Sequence, residues 1–97
     1  MAEAHYAQVA PHLYCGPIEG AANAHLAASS PNFLVLESIE RWEGFHAQIL
    51  KAPMIWEDGH VLPGNAPGLG VELDEAVAEA HPYTGDALHL TPAEHPL

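Results

Sequence analysis

Residues 9–38, VAPHLYCGPIEGAANAHLAASSPNFLVLES, decide how the rest of this chain is read. Residues 8–13 form a short apolar run interrupted by Pro11. Proline donates no ladder bond and belongs at a strand's end, so the run predicts a strand closing at His12. Gly16-Pro17 then breaks the chain and opens a helix, because proline suits the first helical turn. Ile18, Ala21, Ala22 and Leu26 recur near helical spacing as an apolar stripe, and the alanines permit close packing on a sheet. Ser29-Ser30-Pro31-Asn32 stops that helix. Residues 33–36, FLVL, are a continuous apolar run, the pattern of a strand buried on both faces in a parallel sheet, and Glu37 ends it. The stretch therefore predicts strand, helix and parallel strand, with one ionisable side chain at the C-terminal end of each strand.

Outward from this unit the signals are shorter. Residues 1–7, MAEAHYA, are helix formers with no N-cap ahead of them, which suits the end of a longer helix or a short frayed terminus. Trp42, Phe45 and Ile49, flanked by Leu50, predict a short amphipathic helix over residues 40–51. Residues 54–56 and 60–62 predict two strands around Glu57-Asp58-Gly59, a hairpin turn signal. PGNAPGLG at 63–70 predicts an ordered loop, and Asp74 is placed to cap a helix reaching Ala80. Residues 81–97 hold three prolines with little periodicity and predict an extended tail. There is no internal repeat.

Composition narrows the function classes. At 97 residues a second independent core is not expected. Two basic residues stand against 13 acidic ones, a formal charge of −11, and Arg41 and Lys51 are the only lysine or arginine side chains. A nucleic-acid partner is excluded, because phosphate contacts need a basic face, and binding to an anionic membrane is disfavoured for the same reason. No apolar stretch approaches the roughly 20 residues that span a bilayer, and the opening residues lack the pattern of a signal peptide. A single cysteine, Cys15, rules out an internal disulfide framework and fits a reducing cytoplasm. The expectation is a soluble cytoplasmic protein. His5, His25 and His46 lack zinc-ligand spacing, and Cys15, three residues after His12, has no identifiable acid to orient a Cys–His nucleophile.

Three features occur together in order. Ala10-Pro11-His12 closes the first strand ahead of Gly16-Pro17 and an Ala-rich helix. Ser30-Pro31-Asn32-Phe33 leads into Leu34-Val35-Leu36-Glu37. Trp56-Glu57-Asp58-Gly59 is followed by Pro67-Gly68-Leu69-Gly70-Val71-Glu72-Leu73-Asp74. In this order and spacing they resemble the C-terminal quarter of the mandelate racemase/muconate-lactonising branch of the enolase superfamily. The resemblance is nearest to its acid-sugar dehydratases of the galactonate dehydratase-like kind.

That resemblance implies an α/β fold, the C-terminal portion of a (β/α)-barrel. Residues 1–52 would supply its last strands and helices as an incomplete barrel, and residues 53–97 a segment returning to the capping domain plus an extended tail. Barrel active sites open at the C-terminal strand ends. The resemblance gives His12, closing the seventh strand, the task of taking or delivering a proton at the substrate. It gives Glu37, closing the eighth, the task of donating a hydrogen bond to the enolate oxygen or positioning the substrate carboxylate. It also implies Mg²⁺ in the parent enzyme, held by carboxylates on earlier strands, alongside lysine or tyrosine acid/base groups and an aspartate partner for the histidine. This sequence contains none of those strands, so no cofactor is expected to bind this segment alone.

The chemistry needs such groups. Removing a proton alpha to a carboxylate creates a dianionic enolate that demands nearby stabilisation, and loss of water needs an acid for the departing hydroxide. Histidine, which titrates near neutral pH, can serve as that acid or as the base. The expected function is the C-terminal part of a Mg²⁺-dependent acid-sugar dehydratase, a lyase, inactive as an isolated chain. A racemase, epimerase or cycloisomerase parent of the same superfamily is the alternative within the class. A different class is a non-catalytic stand-alone chain that self-associates or pairs with a complementary barrel fragment, because two strands and a helix leave unpaired edges. A His-rich acidic metal carrier is a third reading.

Overall fold

Gly16 is extended, with φ −86° and ψ −176°, and passes the chain to Pro17, whose fixed φ starts the first helix, α1 (Pro17–Ser29). In the computed structural model, which describes residues 1–38 and 42–85, α1 is the longest element. Its buried face is Pro17, Gly20, Ala21 and Ala24. These follow the i, i+3, i+4, i+7 spacing of one helical face. The expected stripe is therefore corrected: of its members only Ala21 is buried, while Ile18 and Leu26 are exposed. Small residues win this face because they let the backbone approach its neighbours. A Cβ built on Gly20 would lie 2.1 Å from Cη2 of Trp42, so the indole rests on bare helix backbone.

The segments flanking α1 run parallel, as expected, but pair over a single bridge, Val9 with Phe33. Val9 N–H donates to the Asn32 carbonyl and Leu34 N–H to the Val9 carbonyl, both at 2.9 Å. The next rung of a parallel ladder would need the Pro11 N–H, which does not exist. Instead Glu37 N–H donates to the Pro11 carbonyl at 3.2 Å, one residue beyond the regular register. Proline at the strand's end thus shortens the predicted strands to one bridge. Residues 33–36 are not buried on both faces: Leu34 is 58% and Val35 53% exposed.

Among the described residues the regular sheet is an antiparallel hairpin, β1 (Ile55–Glu57) with β2 (His60–Leu62), in the register Ile55–Leu62, Trp56–Val61 and Glu57–His60. Asp58 and Gly59 between them have φ of +47° and +78°. Positive φ at both central residues is what a two-residue type I′ turn requires. The α/β character expected from the resemblance is present, and among the described residues the only multi-residue sheet is this hairpin, which does not by itself establish the incomplete barrel.

A short helix, α2 (Phe45–Gln48), replaces the helix expected over residues 40–51, of which 40 and 41 lie outside the described residues. Gly44 ahead of it sits at φ +55°, outside helical space, and Leu50 leaves it to pair antiparallel with Leu73. A further helix, α3 (Glu75–Ala80), starts where Asp74 accepts the Val77 N–H at 3.2 Å, the predicted cap. At the amino end a single 3₁₀ turn covers Glu3–His5.

The segment after residue 52 is tied to the rest of the chain. Lys51 N–H donates to the Glu72 carbonyl at 2.9 Å and Asp74 N–H to the Ile49 carbonyl at 2.8 Å. The Lys51 ammonium pairs with the Glu72 carboxylate. His25 on α1 donates through Nε2 to the Leu69 carbonyl at 3.1 Å, and Trp56 meets Trp42 with ring centroids 5.3 Å apart. The loop that reaches back closes on itself at Gly64 and Gly70, where a Cβ on Gly64 would stand 2.6 Å from the Gly70 carbonyl oxygen. The backbone groups of residues 72–74 need partners, and the chain at 49–51, just past α2, supplies them. The predicted tail is described only to residue 85, without regular structure, and residues 86–97 lie outside the described residues.

The buried apolar side chains among the described residues are Leu13, Pro17, Ala21, Ala24 and Leu50. Leu13 anchors the first segment, directly after His12.

Candidate functional site

His12 and Glu37 come together. Side chains alternate along an extended chain, so with Leu13 pressed inward at 2% exposure, His12 faces the opposite way. The parallel bridge then brings the end of the second segment alongside, and the His12 Nδ1 meets a Glu37 carboxylate oxygen. The carboxylate accepts the Nδ1 proton. Both side chains remain open to solvent, at 70% for His12 and 51% for Glu37. A contact so exposed adds only about 0–1 kcal/mol to stability, so its consequence lies in orienting the ring.

Holding the proton on Nδ1 leaves Nε2 of the neutral ring as the basic nitrogen. Among the described residues Nε2 has no hydrogen-bond partner, so it is placed to exchange a proton with an external group. Tyr14, two residues on and on the same side of the chain, lies parallel to the imidazole, with centroids 6.3 Å apart and planes 3° apart. Asn23, from the middle of α1, donates its amide to the His12 carbonyl at 3.4 Å. Neither Tyr14 nor Asn23 stood out as a site residue in the sequence. The i, i+2 spacing of His12 and Tyr14 was the available signal.

The remaining polar groups do different work. Among the described residues no three His, Cys, Asp or Glu side chains converge to hold a metal ion. Cys15 is exposed, and its thiol is pushed above its ordinary value of 9.0 by a hydrogen bond to Glu19, then by desolvation and the nearby negative charge. A thiol so shifted is a poor nucleophile near neutral pH. Lys51 is raised above its ordinary value of 10.5, chiefly by its hydrogen bond and charge interaction with Glu72. His60 and His81 each use Nδ1 locally, toward the carbonyls of Asp58 and Val77, both at 2.9 Å. Among the described residues no helix is long and apolar enough to cross a membrane.

The family model of the enolase C-terminal domain-like family matches residues 1–77. A D-galactonate dehydratase family member of Streptomyces bingchenggensis is 35% identical over 85 residues, covering 86% of this chain and 20% of its own. The D-xylonate dehydratase of Haloferax volcanii is 34% identical over 88 residues, 91% of this chain and 21% of its own. Among solved structures, a mandelate racemase/muconate lactonizing enzyme from Sulfitobacter superposes with a TM-score of 0.85 at 56% identity. A similar protein from Roseovarius gives 0.85 at 53% identity, and each match covers 99% of this chain and 24% of the other. The chain spans about a fifth of the length of the curated relatives it matches. Sequence and structure converge on one assignment: these 97 residues belong to the enolase C-terminal domain-like family.

Proposed function

We propose that this chain is the C-terminal part of an acid-sugar dehydratase. Residues 1–52 would contribute the last strands and helices of its barrel, and residues 53–97 the segment returning to the capping domain. The observation that carries this reading is the His12–Glu37 contact at the C-terminal ends of two parallel segments, the end at which barrels build their active sites. Relatives named as galactonate and xylonate dehydratases support the reaction class.

His12 holds its proton on Nδ1 against Glu37 and presents Nε2 to a substrate. Elimination of water from a sugar acid breaks the C–H bond alpha to the carboxylate and the C–O bond at the neighbouring carbon. The electron pair of the first forms the enol double bond, and the hydroxyl leaves as water once protonated. His12 acts as general acid or base at one of these transfers, and Glu37 stabilises the imidazolium or hydrogen-bonds the substrate. Mg²⁺ supplies enolate stabilisation in this chemistry. The described residues offer no three-ligand cluster for it, so no step here runs through the metal. Its ligands belong to other parts of the parent polypeptide, and the isolated chain is inactive.

Two measurements test this. The intact mass of the protein in its natural source is expected about fourfold above 10.4 kDa. The full-length polypeptide is expected to convert an aldonate or aldarate to a 2-keto acid. Racemised or epimerised acid with no 2-keto product would overturn the dehydratase assignment in favour of a racemase.

A second reading draws on the exposed Leu34, Val35 and Trp56. An apolar groove of about 300 Å³ lies between α1, the second parallel segment and the hairpin, lined by Ala24, Phe33, Leu34, Trp56 and Val61 among others. In this reading the chain docks on another polypeptide through that face. A monodisperse monomer with a cooperative melt would remove it.

A further inference from the structure

The pairing that aligns His12 with Glu37 is held at its lower end by a side-chain amide where the ladder fails, and Asn23 ties the His12 backbone to α1 at the upper end. In a regular parallel ladder extended from the Val9–Phe33 bridge, the rung below would have the Asn32 N–H donate to the Ala7 carbonyl. Asn32 instead sits in a turn closed by the Phe33 N–H on the Ser30 carbonyl at 3.1 Å. Its side-chain Nδ2 takes over the missing rung, donating to the Ala7 carbonyl at 2.7 Å. Above the bridge Pro11 has no N–H to offer, and Asn23 reaches from α1 to the His12 carbonyl. The bridge itself is a single pair, too little to specify register alone.

We propose that Asn32, supported by Asn23, is a positioning residue that sets the register in which His12 faces Glu37. A slip of one residue turns every side chain of an extended segment to its other face, and His12 would then leave the Glu37 carboxylate. An amide is required at 32 because a carboxylate there would set two acceptors against each other at Ala7. The inference rests on the proposed pairing of His12 with Glu37 as an acid/base unit. Asn32 belongs to the Ser30-Pro31-Asn32-Phe33 motif, and this contact gives the motif's asparagine a physical task.

The test uses the 97-residue chain with ¹⁵N-labelled histidine, reading the ratio of the two neutral His12 tautomers. Amide exchange is read at Leu34 and Glu37, which bond to Val9 and Pro11, and at Ala78 of α3 as an internal control. Asn32→Asp is expected to lower the Nδ1–H share and the protection of Leu34 and Glu37 about fivefold, the loss of one net hydrogen bond, with Ala78 unchanged. Asn32→Gln, which keeps the amide, is expected to recover part of the ratio. If Asn32→Asp also strips protection from Ala78, Asn23→Ala is read in the same way. Glu37→Gln separates the premises. An unchanged tautomer ratio in Glu37→Gln overturns the pair, and the register proposal with it. A ratio that responds to Glu37→Gln but to neither asparagine variant overturns the register proposal alone.

Discussion

His12 and Glu37, 25 residues apart in sequence, share a hydrogen bond through Nδ1 because the Val9–Phe33 bridge brings the ends of their segments side by side. Each residue is otherwise exposed and free of tight packing. The contact therefore depends on backbone register rather than on burial, which makes it sensitive to substitution without large effects on folding.

In the full-length dehydratase proposed above, Glu37→Gln would keep the shape of the side chain and remove its charge. The turnover number is expected to fall about 10²–10⁴-fold, and His12→Asn at least as far, the usual span for a positioned acid or base. Steady-state kinetics on a convertible sugar acid checks this, with thermal midpoints close to the unsubstituted protein as the accompanying expectation.

Gly20→Ala is expected to destabilise the chain, although alanine is the better helix former by about 1 kcal/mol. The added Cβ would collide with the Trp42 indole, at 2.1 Å from Cη2 and 2.3 Å from Cζ2. Overpacking of this kind costs about 1–3 kcal/mol, so packing outweighs propensity. Urea denaturation followed by tryptophan fluorescence measures the sign, and the Trp42–Trp56 contact makes that signal responsive.

The Lys51–Glu72 pair should mark the alkaline side of the stability profile. Lys51 is raised in the folded chain by its hydrogen bond and charge interaction with Glu72. A group raised on folding contributes below its unfolded value and loses that contribution as pH climbs through the folded one. Stability conferred by the pair is thus expected to be complete well below pH 10.5 and to be lost as pH climbs from there through the higher folded value. Since both side chains are exposed, the effect is expected to be small and to shrink with salt. Comparing melts of the unsubstituted chain and Lys51→Met from pH 8 to pH 12 tests this, where the two should converge at the alkaline end.

Cys15 is accessible but slow. Its thiol is held up by Glu19, so alkylation at pH 8 is expected to reach one label per chain at a rate below that of a free cysteine. Glu19→Gln removes the negative charge and is expected to accelerate the reaction. Equal rates in the two proteins would show that Glu19 does not govern the thiol.

Much of the local structure was legible because its causes are local. Gly16-Pro17 opened α1, Asp58-Gly59 made the hairpin turn, and Asp74 capped α3, each through conformational preferences of the residues themselves. His12 and Glu37 were legible as strand-end groups for the same reason, since both sit where an apolar run stops. The extent of the parallel pairing was less legible. Pro11 marked a strand end, but that its missing N–H would reduce the ladder to one bridge depends on which rung it occupies.

The sequence by itself determined the order of elements, the turns, the caps and the family, because these follow from short patterns and from their spacing along the chain. Only the tertiary structure decided which face of α1 is buried. Periodicity cannot weigh large apolar residues against small ones, and the Trp42 indole selected the face that has no side chain at Gly20. It likewise decided that residues 72–74 pair with 49–51 and that the Glu37 carboxylate meets Nδ1 of His12. These are contacts between distant residues, set by backbone groups that must find partners wherever the fold brings one within reach.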